Sequence, residues 1–201
     1  GGGGLNRPSR TATRSDGTLW AWGYNNVGQL GQPATDTPAY SSPVQIPGSW
    51  TNCFASGNVT GMVNTDGELW TMGNNGDGGL GQNNKTQYSS PVQVPGTTWG
   101  TTKDKIHAGD RYFLAIKTDG TLWSMGSGGS GRGGLNTNTH VSSPTQIGSG
   151  TDWASASMDT SRGAGALKTD GTLWSWGGND RGNLGHSPSD RVHRSSPIQV
   201  G

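Results

Sequence analysis

The chain has 201 residues, 37 of them glycine, with 14 basic and 13 acidic side chains and only 28% hydrophobic residues. Near-neutrality without a run of Lys or Arg excludes binding of nucleic acid through a general basic face. A membrane-spanning segment is not expected, since no apolar run reaches 18 residues.

Low hydrophobicity alone leans towards disorder, but nine tryptophans reverse that lean. Each buries on the order of 150–250 Å², so a few can supply a core. The single cysteine, Cys53, allows no intrachain disulfide and sits between Trp50 and Phe54 as a small buried thiol. No signal peptide is visible, and an opening of "GGGG" reads as a piece of something longer.

Along the chain the same markers return in one order. Asp-Gly turns place glycines at Gly17, Gly67, Gly120 and Gly171, in steps of 50, 53 and 51 residues. Gly-x-Leu-Gly follows at Gly28–Gly31, Gly78–Gly81 and Gly182–Gly185, with Gly133-Gly134-Leu135-Asn136 as the departing third copy. Ser-Ser-Pro then ends each unit at Pro43, Pro91, Pro144 and Pro197. A fixed period of about 50 residues marks a repeat architecture. The single domain, 1–201, divides into repeats at about 1–49 (incomplete), 50–98, 99–152 and 153–201.

Residues 99–147 define one unit. "KIHAG" leads into "YFLAIK", Asp119-Gly120 makes a hairpin turn, and "TLWSM" returns. "SSPTQI" supplies a last strand whose proline suits an outer edge. The expectation is one four-stranded antiparallel sheet per repeat of about 51 residues. Alternation along the strand after the turn puts Trp20 with Trp22, Trp70 with Met72, Trp123 with Met125 and Trp174 with Trp176 on one bulky face. The opposite face carries Leu19 with Ala21, Leu69 with Thr71, Leu122 with Ser124 and Leu173 with Ser175. Stacking the bulky face of one sheet on the smaller face of the next buries both, which is the logic of a β-propeller. The fold class is therefore all-β, a propeller of four-stranded blades with about four present.

The strings "DGTLWAWGYNNVGQLGQ" (16–32), "DGELWTMGNNGDGGLGQ" (66–82) and "DGTLWSWGGNDRGNLGH" (170–186) resemble the regulator of chromosome condensation repeat family, over about residues 10–201. The resemblance implies a propeller, usually of seven blades, used for protein contacts. Four repeats make only a partial or open ring, and the first lacks the strand that begins at Trp50, Trp99 and Trp153 in the others. The chain is thus expected to continue into, or pair with, further propeller sequence or neighbouring chains.

Catalytic chemistry is not expected. His107, His140, His186 and His193 lack ligand spacing, so neither a metal nor a cofactor is expected. Asp16, Asp66, Asp119 and Asp170 fall one per blade, too far apart to act as a carboxylate pair. "GSGGSGRGG" (126–134) lacks the lysine of a phosphate loop. Nor is there an insertion like the wedge of the family's exchange factors, or the Gly-Trp-Arg-His-Thr motif of its photoreceptor.

The letters that vary between repeats follow the Trp/Met-Gly strand end: Tyr24 and Asn26, Asn74 and Asp77, Arg132, Asp180 and Arg181. Loops on a rigid scaffold commonly carry recognition, so these are the candidate binding residues. The first reading is a non-enzymatic module binding another protein or a surface glycan, extracellular or associated with a phage virion. The alternative is an intracellular regulator of the small-GTPase exchange-factor type.

Overall fold

The computed structural model describes residues 9–34, 39–109, 111–159, 162–187 and 189–201. The stretch that precedes the first repeat's β-structure, where the sequence reading expects no leading strand, falls mostly outside them. Fifteen strands and one short 3₁₀ turn at Gly129–Gly131 make up the described elements.

The first blade holds β1 (Ser9–Thr13), β2 (Leu19–Tyr24) and β3 (Ala39–Ile46). The second holds β4 (Asn52–Ser56), β5 (Val59–Val63), β6 (Leu69–Gly73) and β7 (Tyr88–Gln93). The third holds β8 (Ile106–Ala108), β9 (Tyr112–Ile116), β10 (Leu122–Gly126) and β11 (Val141–Gln146). The fourth holds β12 (Trp153–Met158), β13 (Gly163–Lys168), β14 (Leu173–Gly177) and β15 (Arg194–Gln199). Each is an antiparallel meander in chain order, three-stranded in the first blade and four-stranded in the others.

The Asp-Gly hairpins lie where the sequence predicts. Gly17, Gly67, Gly120 and Gly171 take φ of 82°, 71°, 79° and 86°, the left-handed region that costs glycine little. Beside the turn, Asp16, Asp119 and Asp170 each accept from the backbone N–H and hydroxyl of the threonine two residues on. That hydroxyl in turn accepts the indole N–H of Trp20, Trp123 or Trp174. These hydrogen bonds hold all three carboxyls below the usual carboxylate range. In the second blade Glu68 replaces the threonine, Asn64 Oδ1 caps the turn, and Trp70 Nε1 is buried without a partner.

Ser-Ser-Pro sits inside the outermost strand rather than at its start. In all four blades the pairing of that strand slips before its proline, as between Ser124↔Thr145 and Gly126↔Val141. A bulge on an edge strand is where a residue without an N–H is tolerated.

The faces pair as expected. Leu19 and Ala21 of the first blade share a cluster with Met62, Met72 and Trp70 of the second. Val59, Val63 and Leu69 meet Phe113, Ala115, Met125 and Trp123. Leu114, Ile116 and Leu122 meet Ala156, Ala164, Trp176 and Trp174. Within the bulky face the enclosed positions are Met72, Met125 and Trp176, at 0, 2 and 0% exposure. Trp70, Trp123 and Trp174 are only half-buried, each covered edge-on by Trp50, Trp99 or Trp153 at 6.0–6.1 Å between ring centroids. These covering tryptophans stitch neighbouring blades, donating their backbone N–H to Gly17 O, Gly67 O and Gly120 O of the blade before.

The third Gly-x-Leu-Gly copy lies two residues earlier than its letters suggest. Gly131 and Gly134 take φ of 78° and 71°, matching 80° and 71° at Gly78 and Gly81. Their hydrogen bonds match as well, Gly131 N to Gly128 O and Gly134 N to Gly131 O. Gly133 therefore occupies the place of Leu30, Leu80 and Leu184. The bulkier Trp176, in place of Met72 and Met125, faces that loop and donates its indole N–H to Arg132 O at 3.0 Å.

The other two markers explain each other. A Cβ on Gly28, Gly78 or Gly131 would lie 2.5–2.7 Å from the Cα of Ser89, Ser142 or Ser195 in the next blade. Glycine on one side and serine on the other let the two backbones touch.

Candidate binding surface

The loops that leave β2, β6, β10 and β14 emerge at the end of each blade opposite the Asp-Gly turns. A buried asparagine builds three of them. Asn25, Asn75 and Asn179, at 0, 0 and 1% exposure, accept the backbone N–H of Leu30, Leu80 and Leu184 at 2.9–3.1 Å. Their amides reach on to carbonyls further along, at Gln32, Asn84 and Asp190. The third loop has Gly128 at this place, because Thr139 O would lie 1.9 Å from a Cβ there. The asparagines carry a sequence signal, two residues after Gly23, Gly73 and Gly177, that the candidate list missed.

On this scaffold the candidates fall into two groups. Tyr24, Asn74, Asp77 and Arg132 are half-buried and engaged. Asn74 Oδ1 accepts the N–H of Gly76. Arg132 lies over the ring of Tyr112 at 5.6 Å, its Nε donating to Gly129 O. Asp77 meets His140 Nδ1 at 3.0 Å and Arg111 at 3.6 Å, both from the next blade, so it clasps two blades together.

Asn26, Asp180 and Arg181 are exposed. Asp180 accepts from His193 Nε2 at 2.7 Å and pairs with Arg162. The His193 hydrogen bond, with Arg162 beside it, holds the Asp180 carboxyl below its ordinary range. Asp180 and Arg181 line one depression of about 390 Å³ with Arg162, Gly178 and Asn183, within the size range of ligand sites. The remaining candidates are spread one loop per blade. Arg162 and Arg111, which the sequence reading did not name, and His193 and His140, which it weighed only as metal ligands, also stand at this end.

Among the described residues, no group of three or more His, Cys, Asp or Glu could hold a metal ion. No helix there is long and apolar enough to cross a membrane.

The model of the Regulator of chromosome condensation (RCC1) repeat matches residues 16–62, 66–116 and 170–201, more than half of the chain. The chain belongs to the RCC1 repeat family. The unmatched stretch holds the third blade's divergent loop. Solved structures of similar fold include human WBSCR16, with a TM-score of 0.83 and 20% identity over 97% of this chain. Prp20p from Saccharomyces cerevisiae, described with its binding to Gsp1p and histones, gives 0.79 and 22% over 98%. Yeast RCC1 (Prp20) bound to Kap60 gives 0.78 and 21% over 98%. This chain spans about half the length of each, 50, 49 and 48%.

Proposed function

We propose that this RCC1-family chain is a non-enzymatic propeller module that binds another protein, or a surface glycan, through the loops opposite its Asp-Gly turns. The carrying observation is the contrast between the two ends of the blades. Turn-end letters are repeated and consumed by structure, whereas the loop end varies and leaves Asn26, Asp180 and Arg181 in solvent. Protein is the favoured partner class, since the similarly folded Prp20 is described with Kap60, Gsp1p and histones. We read the module as extracellular or virion-associated, because its blades are uniform, nearly neutral and rich in Gly, Ser, Thr and Asn. Further blades of this kind, in the same polypeptide or a neighbouring one, complete the ring.

The test is a photo-crosslinker placed at Asn26 and, separately, at Arg181 in the protein within its native source. Adducts to one partner from both positions, with those from Asn26 lost when Asp180 and Arg181 are replaced by alanine, support the reading. Labelling only from a control position at an Asp-Gly turn overturns it. The second reading, an intracellular exchange factor, predicts faster nucleotide release from a small GTPase. It is the second reading because the four repeats present are nearly equal in length, with no inserted wedge among them.

A further inference from the structure

The joint between the third and fourth blades is built differently along its seam from the joint before it. Between the second and third blades, Gln82 Nε2 donates to Leu80 O at 3.1 Å and to Gln93 O at 2.8 Å. The covering tryptophan there is satisfied as well, Trp99 Nε1 donating to Gly96 O at 3.2 Å. One joint further on, Leu135 takes the place of Gln82, Thr145 that of Val92 and Gly148 that of Pro95. The segment leading into the covering tryptophan is one residue longer, 148–152 against 95–98. Trp153 Nε1 is left buried with no partner.

At this seam lies a groove of about 480 Å³, between two blades rather than on an outer face of the stack, and within the size range of ligand sites. Leu135, Ile147, Trp153 and Pro197 give it apolar walls. Lys168 is the one charged side chain among the lining residues, and Asp152 Oδ2 balances it at 3.2 Å. Two buried polar atoms here lack partners: the indole N–H of Trp153, a residue 6% exposed, and Asp152 Oδ1. The first can only donate and the second, as a carboxylate oxygen, only accept. They converge with the ammonium beside Gly150, which also lines the groove. A Cβ on that glycine would lie 3.0 Å from Asp152 Oδ1, 3.4 Å from Trp153 Nε1 and 3.9 Å from Lys168 Nζ.

We propose that this groove binds a neutral sugar residue, with one ring hydroxyl seated beside Gly150. A hydroxyl accepts from Trp153 Nε1 and donates to Asp152 Oδ1 through a single atom, whereas a carbonyl only accepts and an ammonium only donates. The balanced pair of Lys168 and Asp152 offers no net charge to an ionic ligand, and the apolar walls suit the C–H faces of a pyranose. Both unpartnered atoms are closed to solvent in the groove as it stands. The hydroxyl reaches them as the 148–150 segment swings outward, a movement left free where Gly148 and Ser149 are exposed and a Cβ on Gly148 would have nothing within 4 Å. The site goes beyond the loop-end reading and shares no residue with Asn26, Asp180 and Arg181.

The test is a titration of the isotope-labelled chain with methyl glucoside, methyl galactoside, methyl mannoside and N-acetylglucosamine, followed by NMR. At least one should shift the Trp153 indole and Gly150 amide resonances together and saturably. Trp153→Phe, which keeps a packed ring but removes the donor, should weaken that binding about tenfold as read at Gly150, the worth of one hydrogen bond. Leu135→Gln, at a half-buried position whose counterpart is already glutamine, should weaken it by laying an amide along the seam. Oligosaccharides of the binding sugar separate the two sources: equal affinity marks the free sugar as the ligand, and tighter binding marks a glycan. No saturable shift with any sugar or oligosaccharide, or binding unaltered in both variants, overturns the proposal and leaves an ordered water as the partner of the two buried atoms. Either of those results leaves loop-end binding standing.

Discussion

The hydroxyl of Thr121 accepts the indole N–H of Trp123 at 2.7 Å while donating to Asp119 Oδ1 at 2.6 Å. One side chain thereby ties the hairpin turn to the aromatic pair beneath it. Lys117 completes the arrangement, its ammonium 4.7 and 4.5 Å from the ring centroids of Trp99 and Trp123. Lys168 does the same over Trp153 and Trp174.

The second blade lacks both parts, with Asn64 for the lysine and Glu68 for the threonine. Asn64→Lys with Glu68→Thr should give Trp70 Nε1 its acceptor and the Trp50–Trp70 pair its cation. A net gain of about 1 kcal/mol is expected, the usual worth of one hydrogen bond. The denaturant midpoint should rise at unchanged slope. The reverse change, Thr121→Val, should lower it.

Acid should act through the same turns. The folded-state pKa values of Asp16, Asp119 and Asp170 lie below the ordinary 3.8 because hydrogen bonds favour the charged form. Their stabilisation is therefore present above that ordinary value and is lost as pH falls through the folded value. The melting temperature should be flat from neutral to mildly acidic pH and decline below pH about 4. Replacing all three aspartates by alanine should flatten that limb without abolishing it, since Asp104 and Asp180 are depressed too.

Trp99 and Trp176, at 1 and 0% exposure, should each cost about 3–5 kcal/mol on truncation to alanine. Trp123→Ala should cost less, because that ring is half-buried and part of its contact is the edge-on pairing with Trp99. Blades are stabilised through their interfaces, so the larger losses should spread to neighbours. Hydrogen exchange after Trp176→Ala should accelerate in β9 as well as in β13.

The sheets, turns and stacked faces were legible because each depends on letters that recur at one period. The third blade's loop was not. Leu135 mimics the marker leucine, while the backbone registers on Gly131 and Gly134, and only φ angles and backbone hydrogen bonds distinguish the two alignments. The clasp of Asp77 with Arg111 and His140 was equally hidden, since its members come from different blades; the arginine and histidine recur as Arg162 and His193, but there they meet Asp180 of their own blade. Arg132 read as a variable surface letter, yet its guanidinium is spent on Tyr112 and its own loop.

Asn75→Ala should destabilise by about 1–3 kcal/mol by leaving the buried N–H of Leu80 without an acceptor. Gly128→Asn, which would restore the common asparagine to the third loop, should do the opposite of repair, because Thr139 O blocks its Cβ. Thermal melts of the two variants should both fall. Only the second should also disturb the contact between Arg132 and Trp176, visible as a shift in tryptophan emission.

The meeting of Gly78 with Ser142, and its counterparts between the other blades, bears on how such a chain lengthens. Each blade carries a glycine loop on one side and a serine strand on the other, so the same backbone contact recurs between successive blades. Unequal recombination that inserts or removes one unit of about 51 residues joins a standard plug to a standard socket and creates no new surface. Copy number is then limited by curvature around the axis, while the loops opposite the turns drift without disturbing the joints. A lineage of such proteins can change its reach and its binding surface by separate genetic events.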